Sequence, residues 1–141
     1  MIGHKNRSTP WILATAILFF AGSALQAQVV RYRSNAYDIQ SGKYMYTENH
    51  AEHWQNGKHA YSIVTYTDPQ GQVMAVKKIV FTGSKVAPNY DLSDKRSGLE
   101  EGARVNGNSV SVYYKPSASE SKKSKALNVP SPIVVDGGFD Y

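Results

Sequence analysis

Between Thr47 and Tyr61 the chain reads TENHAEHWQNGKHAY, which holds three of its four histidines. Glu48, Glu52 and Trp54 stand among them. Imidazoles and carboxylates at this density are the side chains of a zinc centre or of a general acid–base pair. Which chemistry is open depends on the element that carries them. On a strand, successive side chains alternate faces. His50 then shares a face with Tyr44, Tyr46, Glu48, Glu52 and Trp54, while His53 takes the other with Met45, Thr47, Asn49 and Ala51. On a helix the two imidazoles would meet, but Asn56-Gly57 just downstream is a two-residue hairpin signal. That hairpin pairs Trp54 with His59, Glu52 with Tyr61, His50 with Ile63 and Glu48 with Thr65. His59 joins the face of His50 but lies four residues along the ladder, roughly 13 Å away at about 3.3 Å per residue. One zinc bonded at about 2 Å to each ring does not span that gap. Neither a metal site nor a cofactor is therefore expected.

The elements that position these side chains are strands throughout. Short runs rich in Val, Ile, Tyr and Thr cover 29–38, 43–54, 59–68, 72–82, 100–106, 109–115 and 123–129. The connections IQSG, QNGK, DPQG and NGN are short enough to allow only antiparallel neighbours. The expected fold is all-β: an antiparallel meander, curved as a sheet or half-barrel and preceded by a signal-peptide helix. The segment 84–99, with Pro88, Asp91 and Asp94, breaks the rhythm and reads as a crossover loop with a short helical turn at Leu92–Arg96. Asp68-Pro69-Gln70-Gly71 fits a type I turn closed by a glycine bulge, which pairs Asp68 with Gln72, Ile63 with Lys77 and Tyr61 with Ile79. One face then carries Tyr44, Tyr46, Trp54, Tyr61, Ile63, Val73, Ala75, Ile79 and Phe81 around Glu48, His50, Glu52 and Lys77. The other carries Met45, Ala51, Ala60, Val64, Tyr66, Met74, Val76 and Val80. Both faces are partly apolar, so something must cover the second one.

The N-terminus frames this domain. Lys5 and Arg7 precede a mostly apolar run from Trp11 to Gly22, and the small-residue string SALQAQ follows. That order is a secretory leader, and the run is too short to span a membrane as a helix. Residues 1–27 are expected to be a Sec-type signal peptide, cut after Ala27 or Ala24, and residues 28–141 a single domain in the periplasm or secreted. The chain has no cysteine, so disulfides, thiolate chemistry and a lipidated cysteine are excluded together. Losing Lys5 and Arg7 leaves a mildly basic domain without a basic stripe interleaved with aromatics, which argues against nucleic acid. Lys122, Lys123 and Lys125 sit among serines and read as a solvated loop or edge strand. The last residues, SPIVVDGGFDY, alternate up to an aromatic terminus, a pattern shared with outer-membrane barrels. The other strands lack the continuous lipid-facing apolar row such a barrel needs, so no integral membrane protein is expected. Neither GxSxG, HExxH, a P-loop nor a helix-opening GxGxxG is present.

The strings YDIQSGKYMYTENH, YTDPQGQVMAVKKIVF, APNYDLSDKRSGLEEGAR and VVDGGFD resemble a family of exported proteins of unknown function in Gram-negative bacteria. The resemblance covers nearly all of the chain after residue 27 and brings no activity with it. It implies that the chain is a truncated member, since the family continues past the position of Phe139-Asp140. It marks Tyr37, Asp38, Gly42, Lys43, Tyr46, Glu48, His50, Asp68, Gly71, Lys77, Arg96, Gly98, Glu101 and Gly102. Of these, Glu48, His50, Lys77, Arg96 and Glu101 have no evident need in a turn or strand.

The expected function is a non-catalytic binding or interaction module of the bacterial envelope, sheltering a lipid or apolar small molecule on an aromatic sheet face. Its candidate ligand-binding residues are Tyr46, Glu48, His50, Trp54, Tyr61, Lys77, Arg96 and Glu101. Two alternatives stand beside it. One is an envelope structural protein that assembles with an envelope partner through sheet edges. The other is a hydrolase-like enzyme using Glu48, His50 and Lys77.

Overall fold

The computed structural model describes residues 27–130 and 132–135; the expected signal-peptide helix falls within residues 1–26 and, like residues 131 and 136–141, lies outside the described residues. Eight strands run in chain order: β1 (Ala27–Tyr37), β2 (Tyr44–Gln55), β3 (Lys58–Thr67), β4 (Val73–Val80), β5 (Asn89–Asp94), β6 (Glu100–Asn106), β7 (Ser109–Lys115) and β8 (Lys123–Asn128). Each pairs antiparallel with the next in one sheet of order β1-β2-β3-β4-β5-β6-β7-β8, which is not closed. No helix is present among the described residues. Segment 84–99 is thus corrected: it holds an extra strand, β5, which pairs with both neighbours, and the expected helical turn at Leu92–Arg96 is β5 and its exit turn.

The turns form where the local chemistry demands them. Asn56 and Gly57 both take positive φ, 54° and 70°, as a type I′ hairpin requires. In the β3–β4 turn Gly71 N–H donates to Asp68 O at 2.9 Å, and Asp68 Oδ1 accepts from Gln70 N and Gln72 N. At the β5–β6 turn a Cβ on Gly98, at φ +73°, would stand 2.6 Å from Ala118 Cβ.

Three irregularities decide which side chains face which way. In the β2–β3 pair His53 faces Tyr61 and Trp54 faces His59, so Ala60 has no opposite residue. In β3–β4 Tyr66 faces Ala75 and Thr67 faces Val73, leaving Met74 over. In β1–β2 Met45 is left over in the same way. A bulge shifts the pairing by one residue, and with a side-chain period of two that flips a strand's faces. The two bulges beside β3 therefore reverse that strand and then restore β4. The expected pairs Glu52–Tyr61, His50–Ile63 and Glu48–Thr65 are corrected to Glu52–Ser62, His50–Val64 and Glu48–Tyr66. Ile63–Lys77 and Tyr61–Ile79 become Ile63–Lys78 and Tyr61–Val80. Both main bulges are tied down through their carbonyls: Phe81 N–H donates to Ala60 O at 2.9 Å, and Lys95 N–H to Met74 O at 2.7 Å.

The registers carry the face of His50 across the sheet through Val64, Lys77, Leu92, Glu101 and Tyr114 to Lys123. Burial is one-sided. Val64, Ala75, Ile79, Ala103 and Val110 belong to this face and are buried, Ile79 to 0 % and Val64 to 1 % exposure. On the opposite face Tyr61, Ile63, Val76 and Tyr113 are only part-buried. Among the described residues half of the eight buried hydrophobics are alanines, so the core is thin.

Candidate functional site

Alternation on β1, β2 and β3 gathers a polar and aromatic cluster at one end of the His50 face. His50 Nε2 lies 3.1 Å from Glu48 Oε2, and Ser34 Oγ donates to the same oxygen at 3.4 Å. The ring of Tyr32, directly opposite on β1, stacks on His50 at 4.5 Å. Tyr32 Oη and Trp54 Nε1 both donate to Glu52, at 3.2 Å each. Trp54 stacks on His59 at 4.9 Å, and His59 packs against Phe81 at 4.3 Å. His59 Nε2 lies 2.9 Å from Ser62 Oγ. Burial holds the His59 imidazole below its ordinary pKa, against an opposing pull from Glu52. No buried side-chain nitrogen or oxygen among the described residues lacks a partner. The cluster is thus a satisfied network: Glu52 accepts from Tyr32 and Trp54, and Glu48 is held by Ser34 and His50.

Farther along the same face, a cleft of about 290 Å3 is lined by Tyr90, Glu101, Val112, Tyr114, Lys123 and Lys125, with Gly102, Tyr113 and Ser124. Between cluster and cleft lies the apolar floor of Val64, Ala75, Ile79 and Ala103. The face therefore carries an aromatic wall, a buried apolar strip and a lysine-bearing margin on strands of one sheet.

Most expected site residues fall on this face, and two do not. Tyr46, Glu48, His50, Trp54, Lys77 and Glu101 share it. Tyr46 meets Tyr66 edge-on at 6.0 Å, a partner that the bulge at Ala60 brings across from its expected side. Tyr61 is corrected to the opposite face, where it stacks on His53 at 4.1 Å and lies under the Lys78 ammonium. Arg96 lies in the β5–β6 turn, where its guanidinium grips Asp94 at 2.6 and 3.1 Å and its backbone N–H donates to the same carboxylate at 2.8 Å. That clasp holds Asp94 at a pKa of about 2, chiefly through the side-chain bond, and gives Arg96 a structural task. Sequence reasoning missed Tyr32 and Ser62. Tyr32 was legible as an aromatic on β1, whereas Ser62 required knowledge of the bulge.

The histidine parity holds: His50 pairs with Tyr32 and Val64, His53 with Val29 and Tyr61. Among the described residues no group of three or more His, Asp or Glu side chains is placed to hold a metal ion. The enzyme trio is not assembled. Lys77 lies beyond Val64, two strands from His50, and its ammonium sits 5.7 Å from the Tyr90 ring on the far side. Set against known proteins, the chain matches no family model, no curated protein and no solved structure.

Proposed function

We propose that the chain is an exported, non-catalytic binding domain of the Gram-negative envelope whose His50 face curls into a half-barrel trough around an apolar ligand, a lipid acyl chain being the best fit. One observation carries this reading: a single-layered sheet buries one face to 0–1 % at Val64 and Ile79 with no helix or second sheet over it among the described residues. Layers of secondary structure bury their apolar faces against one another. A sheet without such a layer does so by curling around the face, with coil such as Phe81, Ala87 and Pro88 packed at its margin, and an unclosed sheet leaves the trough open. The cleft beside that core, with Tyr90, Val112 and Tyr114 as its apolar and aromatic lining and Glu101 and Lys123 as its fixed charges, has the make-up of a ligand pocket. The resemblance to an exported family and the leader-like order of residues 1–27 support the envelope setting.

The test uses Trp54, the only tryptophan left once Trp11 departs with the leader. Its indole lies on the proposed wall. Titration of the mature protein with long-chain fatty acids and with phospholipid should shift its emission saturably, and native mass spectrometry should show a co-purifying lipid. A flat titration with lipid-free protein in both experiments would sink the reading.

A further inference from the structure

We infer that the two free edges of the sheet, β1 and β8, pair with each other between copies of this chain, antiparallel and head to tail. The sheet is not closed, so among the described residues each edge strand has no strand on its outer side. β1 is eleven residues long, proline-free, and exposed at every residue but Ala36; all six residues of β8 are exposed. Such edges are templates for another strand. In a meander of eight strands, the first and last run in opposite directions. A second copy with its His50 face on the same side therefore presents β8 antiparallel to β1.

The charges on the two edges decide between pairings. Arg31 and Arg33 of β1 lie on the face opposite His50, beside Ala51 and Asn49. Lys123 and Lys125 of β8 lie on the His50 face. None of the four forms an ion pair among the described residues. Pairing β1 with its own copy in the register centred on Tyr32 sets Arg31 opposite Arg33. Pairing β8 with its own copy about Lys125 sets that lysine against itself. Like charges directly opposite are destabilising. Between β1 and β8 no such conflict arises. Arg31 and Arg33 meet the row of Ser124, Ala126 and Asn128, while the lysines meet the row of Val30, Tyr32 and Ser34, with Glu48 and Glu52 one strand behind. Strands two apart are separated by about 10 Å, a span the molecule already bridges with Lys122 and Glu100 at 2.7 Å across β7. In these central registers the charges guard each edge against itself, while the cross-pairing stays open. Such a contact is heterologous: every oligomer keeps a free β1 and a free β8, so association continues into a ladder or closes as a ring.

The absence of cysteine makes the test clean. Val30→Cys and Lys125→Cys variants of the mature chain, mixed with a short bismaleimide, should give a covalent dimer in the mixture at least tenfold above either variant alone. Sedimentation velocity should show mass rising with concentration past the dimer, and Lys123→Glu with Lys125→Glu should abolish that rise while the β-sheet circular dichroism stays unchanged. Should the charge-reversed variant fail to fold, the cross-linking result decides alone. A monomer at all concentrations overturns the inference. So does Val30→Cys cross-linking to itself as well as to Lys125→Cys, or a double-cysteine chain that links only within itself.

Discussion

At the scale of single residues, two titrating groups make the fold pH-sensitive in separate windows. His59 is 6 % exposed and sandwiched between Trp54 and Phe81, and burial lowers its pKa. Above about pH 6.5 the ring is neutral both folded and unfolded, and its contribution to stability is complete. As pH falls below that value the unfolded chain takes up a proton that the buried ring resists, so stability falls until the folded pKa is passed. His59→Phe should flatten the part of the pH 7-to-5 stability slope that His59 carries. It should also cost about 1–3 kcal/mol, because Ser62 Oγ loses its partner. Urea unfolding at both pH values reads both effects, and an unchanged slope would remove His59 as the cause. Asp94 acts lower. Its folded pKa of about 2 lies below the ordinary carboxylate value near 3.9, so the clasp stabilises above about pH 4 and is lost as pH falls toward 2. Arg96 is well exposed, with 62 % of its side chain in solvent, which limits the pair to under about 1 kcal/mol. Arg96→Ala should raise the Asp94 pKa in an NMR titration and leave the proposed lipid binding intact. Lost binding would restore Arg96 to the site.

At the scale of elements, the bulges decide what the hairpins present. A regular β2–β3 ladder puts Ile63 inside and Val64 outside; the bulge at Ala60 puts Val64 inside at 1 % exposure and leaves Ile63 half-buried opposite Ala51. Val64→Ala should therefore cost about 2 kcal/mol, two buried methyl groups plus a cavity, and Ile63→Ala clearly less. Chemical denaturation of the pair checks this, and a larger loss at Ile63 would return the regular register. This marks how far the sequence could be read. Alternation and turn chemistry located seven of the eight strands and separated His50 from His53, because Asn56-Gly57 and Asp68-Pro69-Gln70-Gly71 hold their pairings locally. The bulge at Ala60 has no glycine to announce it, since its carbonyl is secured by Phe81, twenty-one residues on. β5 escaped notice because NYDLSD is short and polar, and its asparagine and Asp91 serve other strands. Asn89 Oδ1 accepts from Val105 N–H, and Asp91 accepts from Arg104 and Tyr113. Gly102 shows the same dependence on distant partners. A Cβ there would stand 2.4 Å from Tyr90 O and 2.6 Å from the Tyr113 ring. Gly102→Ala should displace that ring from its 2.5 Å bond to Asp91 and destabilise by about 1–3 kcal/mol. A wild-type denaturation midpoint would show that both the Tyr90 carbonyl and the Tyr113 ring give way.

At the scale of the whole molecule, stability and ligand binding are one question, because the face that holds the core is also the proposed trough. The buried hydrophobics include Ala60, Ala75, Ala87 and Ala103, so the sheet gains little from each position it covers. A ligand that lies along Tyr90, Leu92 and Val112, which stay part-exposed on this face, adds the apolar contact that a second layer would supply in other folds. Binding to the folded state alone then raises stability by mass action, about 2.7 kcal/mol at a free ligand concentration a hundred times the dissociation constant. The melting temperature should rise with the logarithm of long-chain fatty acid concentration and fall back when the chain is shortened below the length of the floor. A charged substitution on the floor, Ala103→Asp, should remove the rise. Arg31→Ala on the opposite face should leave it intact. A melting temperature that ignores every acyl chain, in protein shown to be lipid-free, would mean that the one-sided core serves assembly through the sheet edges instead, and the cross-linking of β1 to β8 would then stand without a ligand.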